Sequence, residues 1–256
     1  MGNLKFCVLG ECAKIQTIID AYDGGDVVLG SLEYLNLHYM KNLRSIWKGP
    51  LILGSLSHLK ALVLYTCPQL TTIFTLNLFP KLYELEELVV EDCPKIESIV
   101  MTPDPTATVL MLWRGSYLFP KLRKISLHYM PKLVSISNGL HISPRLEWMS
   151  FYDCPSLKTL SPEEVHSNDL KVIIGEAKWW RELNWNKSKW LQPPNLDAIF
   201  HPIEQDTYFV THLAEIDDQL QAGMQETELS QQSGPGDSLK APAVEDGTSS
   251  KQKQVA

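Results

Sequence analysis

Cysteine is the residue type in this sequence that comes closest to offering nucleophilic or metal chemistry. The chain has five cysteines, an odd number, and no CxxC pair, so neither a zinc site nor a disulfide framework is indicated. A reactive thiol needs an exposed, electropositive setting, whereas an unpaired cysteine is commonly a small buried hydrophobe. We interpret the cysteines as buried residues and expect a reducing compartment. Four of them share one position of a recurring pattern: Cys12, Cys67, Cys93 and Cys154.

Histidine supplies a second candidate chemistry, because His38 and His128 recur at matching positions of two LHYM segments. A His–Cys catalytic pair would need both side chains on one side of the chain. The pattern instead directs the cysteines to the core and the histidines to the exposed side. The sequence contains no GxxxxGK(S/T), GxGxxG, HExxH or GxSxG motif. We predict no enzymatic activity, no cofactor and no metal, and we interpret these histidines as residues of a binding surface.

A repeat positions all of these residues. Six windows share the apolar pattern LxxLxLxx(C/M)xxLxxI, with starts at Leu4, Leu32, Leu59, Leu85, Leu122 and Leu146. Their spacings are 28, 27, 26, 37 and 24 residues, and four of these five lie within the 20–29 residues typical of leucine-rich repeats. The spacing of 37 predicts an inserted loop, which the stretch rich in Pro and Thr after Met101 accounts for.

The spacing of the leucines predicts the architecture. Two leucines in LxL point to the same face of a short strand, and stacked strands join these leucines into one core. Proline follows the cysteine or methionine in four windows and ends strand pairing. We predict an α/β leucine-rich-repeat solenoid, a horseshoe, with a parallel sheet on its concave side and mostly loops and short helices on its convex side.

The domain organisation follows from the repeats and from composition. We predict a leucine-rich-repeat domain over residues 1–200, with a degenerate cap from residue 170, an amphipathic helix over 203–230 and a disordered acidic tail over 231–256. Four tryptophans follow the last repeat, and covering the open end of the stack and docking a partner are both open roles for them. They are Trp179, Trp180, Trp185 and Trp190.

The charge distribution argues against nucleic acid and membrane surfaces as partners. Residues 1–202 hold 20 basic and 20 acidic residues, and the last 54 residues hold 3 basic and 10 acidic, which together give the net charge of −7. A neutral body with an acidic tail offers no basic patch. No apolar run reaches membrane-spanning length, and no secretory signal is evident at the start. We expect a cytoplasmic protein without membrane insertion.

The alternate strand residues form the candidate binding face. They flank the core leucines, point away from the core and align in columns along the concave side. Aromatic and mixed polar columns suit protein recognition better than burial of a small molecule, although a solvated sheet face without a role is the alternative. The predicted protein-binding residues are Tyr34, Asn36, His38, Tyr65, Glu87, Glu91, Lys124, His128, Trp148 and Tyr152.

Several segments carry a resemblance to a known family. The sequences YTCPQLTTIF, LEELVVEDCPKIESIV, FPKLRKISLHYMPKLVSI and GEAKWWRELNW resemble the C-terminal repeats of plant coiled-coil, nucleotide-binding, leucine-rich-repeat (NB-LRR) disease-resistance proteins. The resemblance implies defence signalling in which the repeats bind a pathogen effector, a guarded host protein or the receptor's own nucleotide-binding module. A stand-alone or F-box-type substrate adapter is the alternative. No F-box-like segment precedes Leu4, which favours the immune receptor.

Overall fold

The computed structural model describes residues 3–22, 29–49, 54–75, 78, 81–101, 115–184 and 195–203. These residues belong to one compact unit that ends at Ile203. The predicted helix beyond residue 203, the predicted acidic tail, Trp185, Trp190 and most of the inserted loop lie outside the described residues.

Short strands account for most of the regular structure. Two to five residues long, they recur once or twice per repeat. Those in the described residues are β1 (Phe6–Gly10), β2 (Thr17–Asp20), β3 (Tyr34–His38), β4 (Ser45–Lys48), β5 (Ala61–Tyr65), β6 (Phe74–Thr75), β7 (Glu87–Glu91), β8 (Val100–Met101), β9 (Lys124–His128), β10 (Trp148–Tyr152), β11 (Val172–Gly175) and β12 (Phe200–Pro202).

The principal sheet is parallel and has eight strands, in the order β1-β3-β5-β7-β9-β10-β11-β12. Equivalent residues of successive repeats pair in register, so Leu35 lies beside Leu62 and Leu37 beside Leu64. The leucines of LxL are therefore stacked and fully buried. The prediction of a leucine-rich-repeat solenoid is confirmed, and the chain forms a parallel β-solenoid of about six turns.

The side of the solenoid opposite the principal sheet differs from the prediction of loops and short helices. Two further parallel pairs, β2-β4 and β6-β8, lie there, together with isolated bridges between Ser45 and Thr72 and between Ser98 and Ser135. We call these strand pairs and bridges the second ladder. A hydroxyl residue followed by an extended apolar segment recurs here in each turn, and β-branched residues favour the extended backbone over helix. The one α-helix of the described residues is α1 (Ala177–Glu182).

Each of the first six strands in the principal sheet, β1 to β10 in the order given, is followed by a left-handed residue. In the first five of these, the backbone N–H of that residue donates to the last carbonyl of the next strand, as Tyr39 does to Tyr65 and Asp92 does to His128. The turn therefore keeps its hydrogen bond while the chain leaves the sheet, and non-glycine residues are held at positive φ by this pairing. The φ angles lie between 47° and 56° at Glu11, Tyr39, Thr66, Asp92, Tyr129 and Asp153.

Two tryptophans close the C-terminal end of the described stack. Trp179 packs on the last core layer and donates its indole N–H to the carbonyl of Leu157 at 2.8 Å. Trp180 donates to Asp197 Oδ1 at 2.8 Å and stacks on Phe200, with ring centroids 4.2 Å apart. Both indoles are buried with their polar groups satisfied, so this end of the core is covered.

Candidate protein-binding face

The outward face of the principal sheet carries three rows of side chains, one for each alternate strand position. We define the outward face as these rows in β3, β5, β7, β9 and β10. The first row is Tyr34, Ala61, Glu87, Lys124 and Trp148; the middle row is Asn36, Val63, Val89, Ser126 and Ser150; the last row is His38, Tyr65, Glu91, His128 and Tyr152.

Small residues in the middle row let the outer rows close over them. Val63, Val89, Ser126 and Ser150 are all buried although they point away from the core. The face is therefore a packed layer of larger side chains, and its outer rows determine what a partner would meet. Sequence periodicity assigned the direction of these residues, but the covering depends on neighbouring strands.

The predicted binding residues differ in how far they are exposed. Tyr34 and His128 are 7% and 3% exposed, so the expectation that both are surface residues is wrong. Tyr34 accepts a hydrogen bond from Asn36 Nδ2 at 3.2 Å, which holds its ring against the sheet. The remaining eight predicted residues are half-buried.

His128 and Ser150 form a buried polar pair on the outward face. His128 Nε2 lies 2.8 Å from Ser150 Oγ, and both side chains are covered. This distance would suit a nucleophile and its base, but a substrate cannot reach atoms that are excluded from solvent. The bond instead satisfies two polar groups that the outer rows enclose.

A charged and aromatic chain runs across the first row. Lys124 Nζ lies 3.2 Å from Glu87 Oε1, an ion pair without hydrogen-bond geometry, and 5.0 Å from the centre of the Trp148 ring. The ammonium therefore lies between a carboxylate and an aromatic face, and both attract it. Half-buried and ordered in this way, Lys124 and Trp148 present a fixed contact surface.

Glu91 is one of five side chains of the outward face that have a buried polar atom without a hydrogen-bond partner among the described residues. Its Oε2 atom is buried without a hydrogen-bond partner among the described residues. Burial, and secondarily the charge of Asp92, raise the pKa of the Glu91 carboxyl. Tyr65 and His128 flank it in register. The unpaired oxygen therefore adds to the cost of keeping this carboxylate charged in the folded protein.

His38 closes the face at its N-terminal end. A Cβ atom at Gly10 would lie 1.9 Å from His38 Nε2, so the imidazole occupies the space above a glycine. The His38 and Tyr39 rings meet edge to face at 5.9 Å. A side chain at position 10 would therefore have to displace the His38 imidazole, a contact that the sequence pattern did not indicate.

The cysteines lie in the core or partly in it, as interpreted from their shared position. Cys67, Cys93 and Cys154 are buried, and Cys12 is half-buried. The Cys154 thiol donates to the carbonyl of Leu127 at 3.3 Å, and burial raises its pKa to about 12. For Cys93, the hydrogen bond with Cys67 and then burial raise the pKa. A thiol kept protonated in this way is a poor nucleophile.

A row of charged residues of alternating sign lies just before the strands of the principal sheet, and it was not predicted from the sequence. Glu33 accepts from Lys60 Nζ at 2.7 Å and lies 3.1 Å from Lys5 Nζ. The hydrogen bonds from Lys60 and then Lys5 lower the pKa of Glu33. The signal in the sequence is the residue that follows the first leucine of each repeat, because its charge alternates in sign from one repeat to the next. These residues are Lys5, Glu33, Lys60, Glu86, Arg123, Glu147 and Lys171.

A cluster of two histidines and a tyrosine outside the face was also missed. His141 lies 5.4 Å from His166 and 5.5 Å from Tyr117 between ring centres. Burial, then the neighbouring His166, lower the pKa of His141. The described residues contain no group of three or more His, Cys, Asp or Glu side chains arranged to hold a metal. The signal is a histidine in each of two consecutive loops.

Comparison with known proteins identifies the repeats. Residues 31–172 match the family described as plant disease resistance protein RPS2-like, leucine-rich repeats, and this match covers more than half of the chain. The chain belongs to this family. Its leucine-rich repeats are therefore of the plant disease resistance type, and the resemblance seen in the sequence is confirmed.

A curated relative supports the assignment. Disease resistance protein At4g27190 of Arabidopsis thaliana is 26% identical over 150 residues, which cover 59% of this chain and 14% of the relative. The match thus spans about one seventh of the relative's length. No solved structure matches the chain. In the part of the chain that the structure describes, no helix has the length and apolarity needed to cross a membrane.

Proposed function

We propose that this leucine-rich-repeat protein is the recognition module of a plant intracellular immune receptor and that it binds a protein through its outward face. Membership of the plant disease resistance family supports a role in immunity. The observation that carries the binding surface is the set of half-buried aromatic and charged side chains on that face, in which Lys124 Nζ lies between the Glu87 carboxylate and the Trp148 ring.

The composition of the outer rows supports a protein partner over a small ligand. Tyr65, Trp148 and Tyr152 are half-buried aromatic side chains on two strands, β5 and β10, and Lys124 lies between Glu87 and Trp148. Aromatic residues with ordered charged neighbours are typical of interface centres. We propose that this face is the concave side of the horseshoe.

The partner belongs to one of three classes under this proposal: a pathogen effector, a guarded host protein or the receptor's own nucleotide-binding module. All three are met in the cytoplasm, which is where we propose that the protein acts. The second candidate function, a substrate adapter of a ubiquitin ligase, uses the same face but would bring a target to other subunits.

The test is a comparison of partner capture by the unmodified chain and by a triple variant, Tyr65→Ala, Trp148→Ala and Tyr152→Ala, in plant cells challenged with pathogen. Half-buried positions were chosen because His128 is buried and bonded to Ser150, so its replacement would disturb the fold. We expect capture to fall by at least about tenfold, as for loss of several interface anchors.

A matched control carries substitutions of exposed residues outside the outward face, Tyr83→Ala and Val134→Ala, which are 45% and 51% exposed. We expect this control to capture partners as the unmodified chain does. Equal capture by the triple variant, with its melting temperature unchanged, would show that partners bind elsewhere.

A further inference from the structure

One position of the repeat stacks sulfur-containing side chains along the core. The residue two positions beyond each of the first six strands of the principal sheet is a cysteine or a methionine. We call these residues the sulfur row, and in the order of the stack they are Cys12, Met40, Cys67, Cys93, Met130 and Cys154. Cys12 and Cys154 thus lie beside methionines, whereas Cys67 and Cys93 are neighbours. All six positions belong to the described residues, so the row contains one adjacent pair of thiols.

The repeat keeps Cys67 and Cys93 at the same level of adjacent turns. The strand pair before them, β5-β7, and the pair after them, β6-β8, are both offset by 26 residues, which is also the separation of the two cysteines. Cys67 Sγ donates to the carbonyl of Tyr65 at 3.6 Å, and Cys93 Sγ donates to the carbonyl of Glu91 at 3.5 Å. The two side chains therefore leave the backbone in the same direction and stack on each other.

The spacing of adjacent turns suits a disulfide between the two cysteines. Neighbouring strands lie about 4.8 Å apart, and the Cα atoms of a disulfide are usually about 4.4–6.8 Å apart. The Cβ atoms of a disulfide are on average about 3.8 Å apart, so the two side chains have to approach by roughly 1 Å relative to the strand spacing. A bond formed in this way stores strain in the turns, and strained disulfides are easily reduced.

The two thiols differ in how readily they lose a proton. A hydrogen bond between the Cys67 and Cys93 side chains lowers the pKa of Cys67, and the same bond, followed by burial, raises the pKa of Cys93. The thiolate is the form of cysteine that attacks an oxidant. Stacking therefore gives the pair an attacking sulfur, Cys67, and a second thiol beside it, Cys93.

The turn that leads into Cys67 has a strained backbone. Thr66 has a φ angle of 51°, and a β-branched side chain is strongly disfavoured in this left-handed region. The equivalent residues of the other turns are not β-branched: Glu11, Tyr39, Asp92, Tyr129 and Asp153. Cys67 and Cys93 are fully buried, so an oxidant reaches them when a turn opens locally. Strain at Thr66 favours this opening at the position where the two thiols meet.

We propose that Cys67 and Cys93 form a modification site, at which hydrogen peroxide oxidises the stacked pair to a disulfide between adjacent turns. The Cys67 thiolate attacks one peroxide oxygen, the O–O bond breaks, and Cys67 becomes a sulfenic acid while the other oxygen leaves as water after taking up a proton. The Cys93 thiol then attacks the Cys67 sulfur, the S–S bond forms, and the sulfenic oxygen leaves as a second water. Two thiols are oxidised and one peroxide is reduced, and a dithiol reductant reverses the change by exchange.

The test treats the full chain with hydrogen peroxide, in buffer and in urea below the unfolding transition, blocks the remaining thiols and maps linked peptides by mass spectrometry. We expect the link between Cys67 and Cys93 to exceed every other link by about tenfold or more, because the two sulfurs are held side by side. Dithiothreitol should restore both thiols. The fully unfolded chain is the control, and its links should be spread over the five cysteines. Absence of the Cys67–Cys93 link in the folded chain, or the same spread of links as in the unfolded chain, would overturn the proposal.

Two variants test whether stacking is what selects the pair. In Cys93→Ala, Cys67 should stop at the sulfenic acid, which dimedone traps; links from Cys67 to another cysteine at the yield of the unmodified chain would overturn the role of stacking. Addition of Met130→Cys to this variant places a thiol beside Cys154, and a link between positions 130 and 154 should then appear. A folded double variant without this link would show that neighbours in the sulfur row cannot be joined and would overturn the proposal.

Discussion

Ser137 donates its backbone N–H to Oε1 of Glu164 at 2.8 Å, across 27 positions of sequence. The same oxygen accepts from the Ile136 N–H at 3.0 Å and from Ser135 Oγ at 2.8 Å. One turn earlier, the Ile99 N–H donates to the Ile136 carbonyl. The carboxylate of Glu164 therefore takes the place of a backbone acceptor where the second ladder ends.

Replacement of Glu164 should lower the free energy of unfolding more than replacement of an exposed glutamate would. The side chain is buried, and Oε2 also accepts from the Ser161 N–H at 3.0 Å. Glu164→Ala would leave buried backbone donors unpaired, and we expect a loss of about 3 kcal/mol in the free energy of unfolding. Glu164→Gln keeps acceptor oxygen and shape and should lose less. Urea unfolding measures both, with Glu163→Ala as control; equal stability of Glu164→Ala and its control would contradict this role.

Reversal of a charge in the alternating row should have a smaller effect that depends on salt. Glu33→Lys places a third ammonium between Lys5 and Lys60, and we expect a loss of about 1 kcal/mol at low ionic strength, diminished at high salt. The pKa of Glu33 is lowered in the folded state, so its contribution is present above the ordinary glutamate pKa and is lost as pH falls through the folded value. Denaturation at two salt concentrations and over this pH range tests the prediction. Glu97→Lys, at an exposed site outside the row, is the control.

Neutralisation of Glu91 should stabilise the free protein at neutral pH. Its pKa is raised in the folded state, so the folded form binds more protons than the unfolded form between the two pKa values. Stability therefore falls as pH rises from the ordinary glutamate pKa through the raised one. Glu91→Gln should therefore raise the free energy of unfolding at pH 7 and change it little at pH 4. Unfolding curves at both values would contradict this account if the gain were the same or larger at the lower pH.

The strand register predicts opposite outcomes for two residues three positions apart. Leu64 is fully buried between Leu37 and Val90, whereas Ala61 begins the same strand on the outward face. Leu64→Asp buries an unpaired charge, and we expect a loss of about 4 kcal/mol or more. Ala61→Asp should lose about 1 kcal/mol or less. Thermal melting of the two variants compares them directly, and similar melting temperatures would refute the register.

The sequence predicted those features that depend on local periodicity. The period of LxL fixes which strand residues face the core, and Leu35, Leu37, Leu62 and Leu64 are buried as that period requires. The alternating row that contains Lys5 and Glu33 was readable in the same way, because neighbours in a solenoid are equivalent residues of successive repeats. The prediction of mostly loops and short helices opposite the sheet did not include the short strands of the second ladder, because repeat length does not distinguish short helices from short strands.

The candidate binding face also has some features that the sequence predicted and others that it did not. The direction of His128 and Tyr34, away from the core, follows from strand alternation, but their burial does not, because it depends on how large the side chains of adjacent strands are and how they lean. The sequence also did not predict that one oxygen of Glu91 lacks a hydrogen-bond partner or that the Glu164 carboxylate caps the second ladder. Sequence by itself determined the repeat, the core and the face of each strand residue, because these depend on spacing along one chain. Tertiary structure alone decided which polar groups are covered, paired or left unsatisfied, because that depends on the distances between side chains brought together from different turns.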